Sequence, residues 1–457
     1  MITEPKEKVI LIGVFETGDR SAGSMEDFMH SMDELAELSC ACFMEPVTLM
    51  MQQLGHVNNA LYVGPGKLEE IREQIELYEA DLVIFNDTLS PSQLRNLQDG
   101  LGIAVMDRTS LILEIFQTRA RTREAKLQVE LARLKYLKPR LVGMRKALTR
   151  QGGTSGSMSS RGAGEKKLEL DRRRIDDRIA ELTRELKDVE KERMTQRKAR
   201  QKSRLPLAAL VGYTNAGKST ILNALVDRYQ GQDEKRVFEA DMLFATLDTT
   251  VRKIETGGNR DFLLSDTVGF IRKLPTGLVE AFKSTLEEVR EADLLVHVVD
   301  YSDPHYREHM RTTIETIADL DAGHIPMLMV YNKADLCGSN DMDPEWDDPD
   351  GSNPETITAE YPKKLAQSQN GSGNICGSLA ISAKEERSID LLVECILEQV
   401  YGDYLTADFL IPYDKGNLTA YLMEHAKILE QEYLPEGTRL KASCHRADIG
   451  RLSEYIL

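Results

Sequence analysis

At 457 residues the chain is too long for one ordinary hydrophobic core, so two to four domains are expected. Its 41% hydrophobic and 29% charged residues exclude an intrinsically disordered chain, and no apolar run approaches the ~18 residues of a membrane-spanning helix. A net charge of −17 argues against a nucleic-acid partner until its distribution is considered. From Arg119 to Arg150 there are 11 basic residues against two acidic ones, and from Arg161 to Arg204 there are 16 against ten. Residues 119–204 therefore carry +15 and the remainder −32: one basic segment on an acidic protein.

The opening residues MITEPKEKVI lack the basic-then-apolar form of a secretory signal. A cytoplasmic location without a membrane span is expected, with peripheral membrane association as the alternative. Of the six cysteines only Cys40 and Cys42 are close, which gives no two-pair zinc spacing. They read as reduced thiols, mostly buried or incidental.

Residues 1–118 alternate strand-like and helix-like stretches. Val9–Val14, Val47–Met51, Leu82–Phe85 and Ile103–Met106 read as strands, with helices over Asp33–Ala41, Lys67–Tyr78 and Pro91–Asp99, the last capped by Ser90. Such alternation predicts an N-terminal α/β domain with a largely parallel sheet. From about Ser110 the period becomes helical. Leu127, Leu131 and Leu134, then Leu168, Ile175, Ile179, Leu182, Leu186 and Val189, form seams that an antiparallel helical hairpin over 119–204 would bury. Between the two arms, residues 152–164 are rich in Gly and Ser and read as a loop.

Residues 205–400 alternate again and predict a doubly wound, mostly parallel sheet. Within them Thr250–Glu255 and Phe262–Leu264 look like an antiparallel hairpin, and 339–373 is an acidic, Asn/Ser/Gly-rich insertion that reads as loosely packed rather than as a calcium site. Residues 401–457 leave room for a small C-terminal α/β domain with a helix over Leu418–Leu429.

The chemistry-bearing residues lie in 205–400. Gly212-Tyr213-Thr214-Asn215-Ala216-Gly217-Lys218-Ser219 follows the apolar strand Leu207–Val211 and opens a helix at Thr220. This is the phosphate-loop pattern. Backbone N–H groups can wrap a phosphate only where side chains do not intervene, and the helix N-terminus adds partial positive charge. Lys218 is placed to bridge β- and γ-phosphates, and Ser219 to ligate Mg²⁺. Asp266-Thr267-Val268-Gly269 follows a strand; Asp266 can hold a Mg²⁺-bound water, and the Gly269 N–H can sense the γ-phosphate. Asn332-Lys333-Ala334-Asp335 follows Met327–Tyr331, and its carboxylate can accept from the two donors on one edge of guanine, which adenine cannot supply. Ser382-Ala383-Lys384 follows Leu379–Ile381 and can offer backbone N–H groups to the guanine O6. Four motifs in this order predict a GTPase that binds GTP and GDP with Mg²⁺. Thr246 is the expected switch threonine on the metal, with Thr249 or Thr250 as alternatives. Phe270 stands where a water-orienting glutamine is common, so slow intrinsic hydrolysis, accelerated by a partner, is expected.

The chain resembles HflX-type GTPases, a ribosome-associated family. The likeness rests on Val63-Gly64-Pro65-Gly66-Lys67-Leu68, Asp107-Arg108-Thr109, Arg161-Gly162-Ala163-Gly164-Glu165, Phe244-Ala245-Thr246-Leu247-Asp248 and Asp266-Thr267-Val268-Gly269-Phe270-Ile271. It implies binding to the large ribosomal subunit, RNA and protein, and GTP-dependent splitting or rescue of stalled or idle ribosomes. It also implies a hairpin that reaches toward the peptidyl-transferase centre. The +15 of that hairpin agrees independently. Three departures stand out: Thr249 and Ala163 where the family usually has Pro, and the long acidic insertion. Gly64-Pro65-Gly66-Lys67 is no phosphate loop and reads as a tight turn. A monomer is expected. The competing function is a GTP-gated switch whose coiled coil binds a protein rather than RNA.

Overall fold

The computed structural model describes residues 6–17, 24–150, 158–203, 205–230, 243–244, 250–257, 260–273, 288–337, 374–402 and 404–457. The acidic insertion 339–373 lies outside them, as do Thr246 and Thr249. The chain divides into two compact units: Met1–Arg193 with Asp241–Asp248 and Arg272–Ser284, and Met194–Ala240 with Thr249–Ile271 and Thr285–Leu457.

The first unit begins with four strands, β1 (Lys8–Glu16), β2 (Glu45–Leu54), β3 (Leu82–Phe85) and β4 (Ala104–Asp107), all parallel in the order β2-β1-β3-β4. Helices α1 (Met25–Ala41), α2 (Pro65–Tyr78), α3 (Pro91–Leu101) and α4 (Arg108–Arg119) connect and follow them. Ser90 caps α3 as expected, in a reciprocal pair with Gln93. The first helix is longer than its apolar spacing suggests, because a second such box, Ser24 with Asp27, starts it at Met25. Pro65 at the first turn of α2 explains the Gly64–Lys67 run as a helix entry.

The Asp107-Arg108-Thr109 motif is structural in its contacts. Asp107 caps α4 through the Ser110 N–H (2.8 Å) and also accepts from Tyr136 Oη (2.6 Å), the Leu89 N–H (3.0 Å) and Arg140 (3.2 Å). One carboxylate thus ties β4 to the next helix, α5 (Arg123–Arg150). Arg108 is buried against Glu34 and donates to Asn86 Oδ1 (2.8 Å), so its charge is paired.

Helices α5 and α6 (Met158–Ser203) form the expected antiparallel pair. Leu127, Leu131 and Leu182 are buried between them, flanked by Leu134, Ile179, Leu186 and Val189. Ion pairs Glu124–Arg193, Arg123–Glu185, Glu130–Arg178 and Lys138–Asp176 run in opposite chain directions along the two arms. The loop read over 152–164 requires correction: residues 158–164 belong to α6. A glycine costs a helix interior only about 1 kcal/mol, which a helix of 46 residues absorbs.

In the second unit, β5 (Leu207–Gly212), β6 (Thr250–Ile254), β7 (Phe262–Asp266), β8 (Leu294–Asp300), β9 (Pro326–Asn332) and β10 (Asn374–Ala380) form one sheet in the order β10-β9-β8-β5-β7-β6. All are parallel except β6, which pairs antiparallel with β7 as expected for that hairpin. Helices α7 (Lys218–Tyr229), α8 (Tyr306–Asp319) and α9 (Glu386–Val400) belong to the same unit. Leu210, Ile221, Leu225, Phe262, Val296, Leu328 and Leu392 are among its buried core. The alternation along β8 sends Val296 and Val298 into this cluster and leaves His297 on the other face of the sheet.

The C-terminal segment is an antiparallel sheet, β11 (Tyr404–Ile411), β13 (Gly437–His445) and β12 (Lys427–Leu434) in that order, with α10 (Gly416–His425) and α11 (Arg446–Arg451). The helix expected to reach Leu429 ends at His425, because Lys427 onward pairs with β13. The six cysteines are free thiols, as expected; Cys444 is buried and the others are intermediate or exposed. Among the described residues no helix is long and apolar enough to cross a membrane.

Candidate functional site

The centre of the six-stranded sheet ends in the phosphate-loop residues. β5 lies between β8 and β7, and its C-terminal end passes through Gly212–Gly217 into α7, which begins at Lys218. Two glycines are required by geometry. Gly217 has φ +93°, and a Cβ there would stand 2.2 Å from Asn332 Nδ2. Gly212 has φ +150°, and a Cβ would stand 2.2 Å from the Val298 carbonyl oxygen. Any side chain at either position therefore meets both strain and collision.

The loop is joined to the Asp266–Gly269 segment by its backbone. The Thr214 N–H donates to the Phe270 oxygen (2.9 Å), and the Phe270 N–H donates to the Gly212 oxygen (3.1 Å). Phe270 is buried, so its ring has no access to solvent water and offers no hydrogen-bonding group in place of a glutamine. Gly269 sits against the Thr214 backbone. Asn215, exposed, and Ala216, buried, complete the turn, and Thr220 lies in the first turn of α7.

Lys218 and Asp266 are both buried. The Lys218 ammonium donates to the Tyr213 oxygen (2.6 Å) and the Gly212 oxygen (3.1 Å). Burial pulls its pKa down to about 8, against the opposing pull of Asp266. Burial likewise pushes Asp266 up to about 6, opposed by Lys218 and by hydrogen bonds from Ser219 and the Thr267 N–H. Ser219 Oγ donates to Asp266 Oδ2 (2.9 Å), while Asp266 Oδ1 is buried without a hydrogen-bond partner among the described residues. A hydroxyl and a carboxylate whose second oxygen is unsatisfied are a hard-oxygen donor set that fits Mg²⁺. Of the three candidate switch threonines only Thr250 is described. It pairs with Asp266 across β6 and β7, and its hydroxyl is buried without a partner among the described residues.

The last two motifs meet the loop through one side chain. Asn332 ends β9 and is buried; its Nδ2 donates to the Ala216 oxygen (2.9 Å), and its Oδ1 accepts from the Ala383 N–H (3.0 Å). Phosphate loop, Asn332–Asp335 and Ser382–Lys384 are thereby fastened to one another. Ser382 is buried and Lys384 exposed. Asp335 is exposed in the short turn Ala334–Leu336, so its carboxylate is desolvated only when a ligand covers it.

Three family models match successive parts of the chain: "GTP-binding GTPase N-terminal" over 29–117, "GTP-binding GTPase Middle Region" over 119–200 and "50S ribosome-binding GTPase" over 207–333. A GTPase HflX of Caldanaerobacter subterraneus subsp. tengcongensis is 41% identical over all of this chain and 95% of its own length. The chain belongs to the HflX GTPase family. Another member, from Alkalihalophilus pseudofirmus, is 50% identical over 72% of this chain and 74% of its own. A crystal structure of a GTP-binding protein from Sulfolobus solfataricus in complex with GDP is 24% identical, with a TM-score of 0.42, covering 86% of this chain and 98% of that one. As an HflX-family GTPase the protein hydrolyses GTP to GDP and phosphate.

Among the described residues of this HflX chain's hairpin, exposed cations stand beside exposed acids such as Asp177, Glu181 and Asp188. Arg133 and Lys135 on α5, and Arg172, Arg173, Arg184 and Lys187 on α6, are exposed. Arg140 is different: it is held by Asp107 and the Leu89 carbonyl and lies over the Tyr136 ring. Two residues beside the nucleotide motifs have no short-range signal in the sequence. His309 of α8 stacks on the Tyr213 ring with centroids 3.9 Å apart, and Asp300 pairs with Lys333. Both contacts span 33 or more positions, and only the sheet order brings them together.

Proposed function

We propose that Gly212–Thr220, Asp266, Gly269, Asn332–Asp335 and Ser382–Lys384 form the GTP site, and that the α5–α6 hairpin docks on the large ribosomal subunit. The observation that carries the first half is the double hydrogen bond of Asn332, which couples the phosphate loop to Ala383. Backbone N–H groups of the loop and Lys218 would hold the phosphates, Asp335 would read the guanine edge, and the Lys384 N–H would face the O6, the Ala383 N–H being held by Asn332. Ser219, Asp266 and a switch threonine (Thr246, or Thr249 or Thr250 in its place) would hold Mg²⁺, which when bound neutralises phosphate charge.

Phe270 supplies no group to orient water, so intrinsic hydrolysis is slow and the ribosome accelerates it. The exposed cations of the hairpin favour an RNA surface, consistent with the 50S ribosome-binding description of the GTPase family model. We assign the chain to splitting or rescue of stalled or idle ribosomes in the cytoplasm.

Co-sedimentation with large subunits, in a non-hydrolysable GTP analogue and graded salt, tests this. Binding that falls steeply with salt is expected. Absent binding, or binding indifferent to salt, favours a coiled coil that recognises a protein.

A further inference from the structure

We propose that Asp300 is a positioning residue of the guanine site, acting through Lys333. The proposal rests on the assignment of Asn332–Asp335 to the guanine base. Asp300 is the last residue of β8 and lies opposite Asn332 in the β8–β9 register. Its Oδ2 accepts from Lys333 Nζ at 2.6 Å. Its Oδ1 accepts from the Ser302 N–H (3.1 Å) and Ser302 Oγ (2.6 Å). Three donors fix the carboxylate. Its side chain is 17% exposed and that of Lys333 27%, so the pair is better shielded than an ordinary surface bridge.

The Lys333 backbone is held as firmly as its tip. Its φ is +63°, a left-handed conformation that a non-glycine residue keeps only when its surroundings impose it. On one side the Tyr301 N–H donates to the Asn332 oxygen (2.9 Å); on the other the Ala334 N–H donates to the Ile381 oxygen (3.1 Å). With both ends anchored, the four-carbon stem of Lys333 is confined between them, two residues before Asp335. A free lysine loses most of its rotamer freedom when a ligand packs on it; here that freedom is already spent on Asp300. The stem is then an apolar shelf for a base face, while Asp335 reads the base edge. Face support adds affinity without distinguishing purines, and edge reading supplies the distinction.

The full-length protein with fluorescent GDP, and with GTP and ITP as competitors, separates these roles. Asp300→Asn is expected to raise Kd five- to twenty-fold for all three nucleotides, leaving the GTP-to-ITP preference unchanged. In a Lys333→Met background the same substitution is expected to change nothing further, since it acts only through the ammonium. Ser302→Ala, which removes one donor to Oδ1, is expected to give a smaller loss and carries the same cycle if Asp300→Asn does not fold. Unchanged affinity, a cost that persists in Lys333→Met, or an altered GTP-to-ITP ratio would each overturn the proposal. Asp335→Asn is the control: if it leaves both affinity and the ratio unchanged, the guanine assignment itself fails.

Discussion

Asn332→Ala is the perturbation whose cost the structure defines best. The residue is 2% exposed, and its side chain makes two neutral hydrogen bonds, to the Ala216 oxygen and from the Ala383 N–H. Truncation leaves both backbone groups without their partner, and a buried unsatisfied group costs about 1–3 kcal/mol. Without this clamp the phosphate loop and the Ala383 segment are no longer held to one another, and a bound nucleotide must order both. Most of the penalty therefore falls on the complex. A loss of about 2–4 kcal/mol in GTP binding corresponds to roughly 30- to 1,000-fold in Kd. GDP is expected to suffer equally, because neither bond faces the γ-phosphate. Titration calorimetry on the purified protein measures it, with a thermal melt to establish that the variant is folded. Asn332→Asp, which keeps the acceptor but loses the donor, is expected to bind no better. A folded Asn332→Ala with less than a threefold change would refute the claim that this residue couples the two motifs.

Other outcomes follow from single contacts. Asp335→Asn replaces an acceptor with a donor at the guanine edge, so GTP affinity is expected to fall and XTP affinity to rise; competition binding reads both. Asp266 carries a folded pKa raised to about 6 from 3.8, so its ionised form is the one the fold disfavours. Its contribution to stability is full when protonated and declines as pH rises through that interval. Asp266→Asn is therefore expected to raise the Tm of nucleotide- and Mg²⁺-free protein at pH 7.5, with the difference shrinking as pH falls below 6, and to weaken Mg²⁺-dependent GTP retention. Leu182→Ala removes a fully buried side chain from the hairpin seam and is expected to cost about 2–5 kcal/mol, seen as faster amide exchange along α5 and α6. Charge reversal at Arg133 and Lys135 is expected to weaken large-subunit binding and flatten its salt dependence while sparing GTP affinity. Arg140 is unsuitable for that test because Asp107 needs it.

What the sequence disclosed and what it hid have physical reasons. The phosphate loop, its preceding strand and the Asn332–Asp335 run were legible because their chemistry demands fixed residues at fixed spacing over a few positions. Ser90 was legible because a cap is a local hydrogen bond. Helix α1 was underestimated because its first turns are specified by Ser24 and Asp27 rather than by apolar spacing. Lys427–Leu429 was misread as helix because the residues that make it a strand are on β13, in Gly437–His445. Glycine content suggested a loop at 158–164, but continuation of a long helix outweighs it. Asp300 and His309 were invisible for the same reason as β12: their partners, Lys333 and Tyr213, are distant in sequence and adjacent only once the strands are ordered.

The proposed function requires a GTP switch to present a basic hairpin to ribosomal RNA. A structure of the protein with a non-hydrolysable GTP analogue on the large ribosomal subunit tests it most directly. Guanine against Asp335 and the Lys333 stem, Mg²⁺ on Ser219, and the exposed cations of α5 and α6 on RNA phosphates are the expected result. A complex in which the hairpin touches only protein, or stands in solvent, would contradict it.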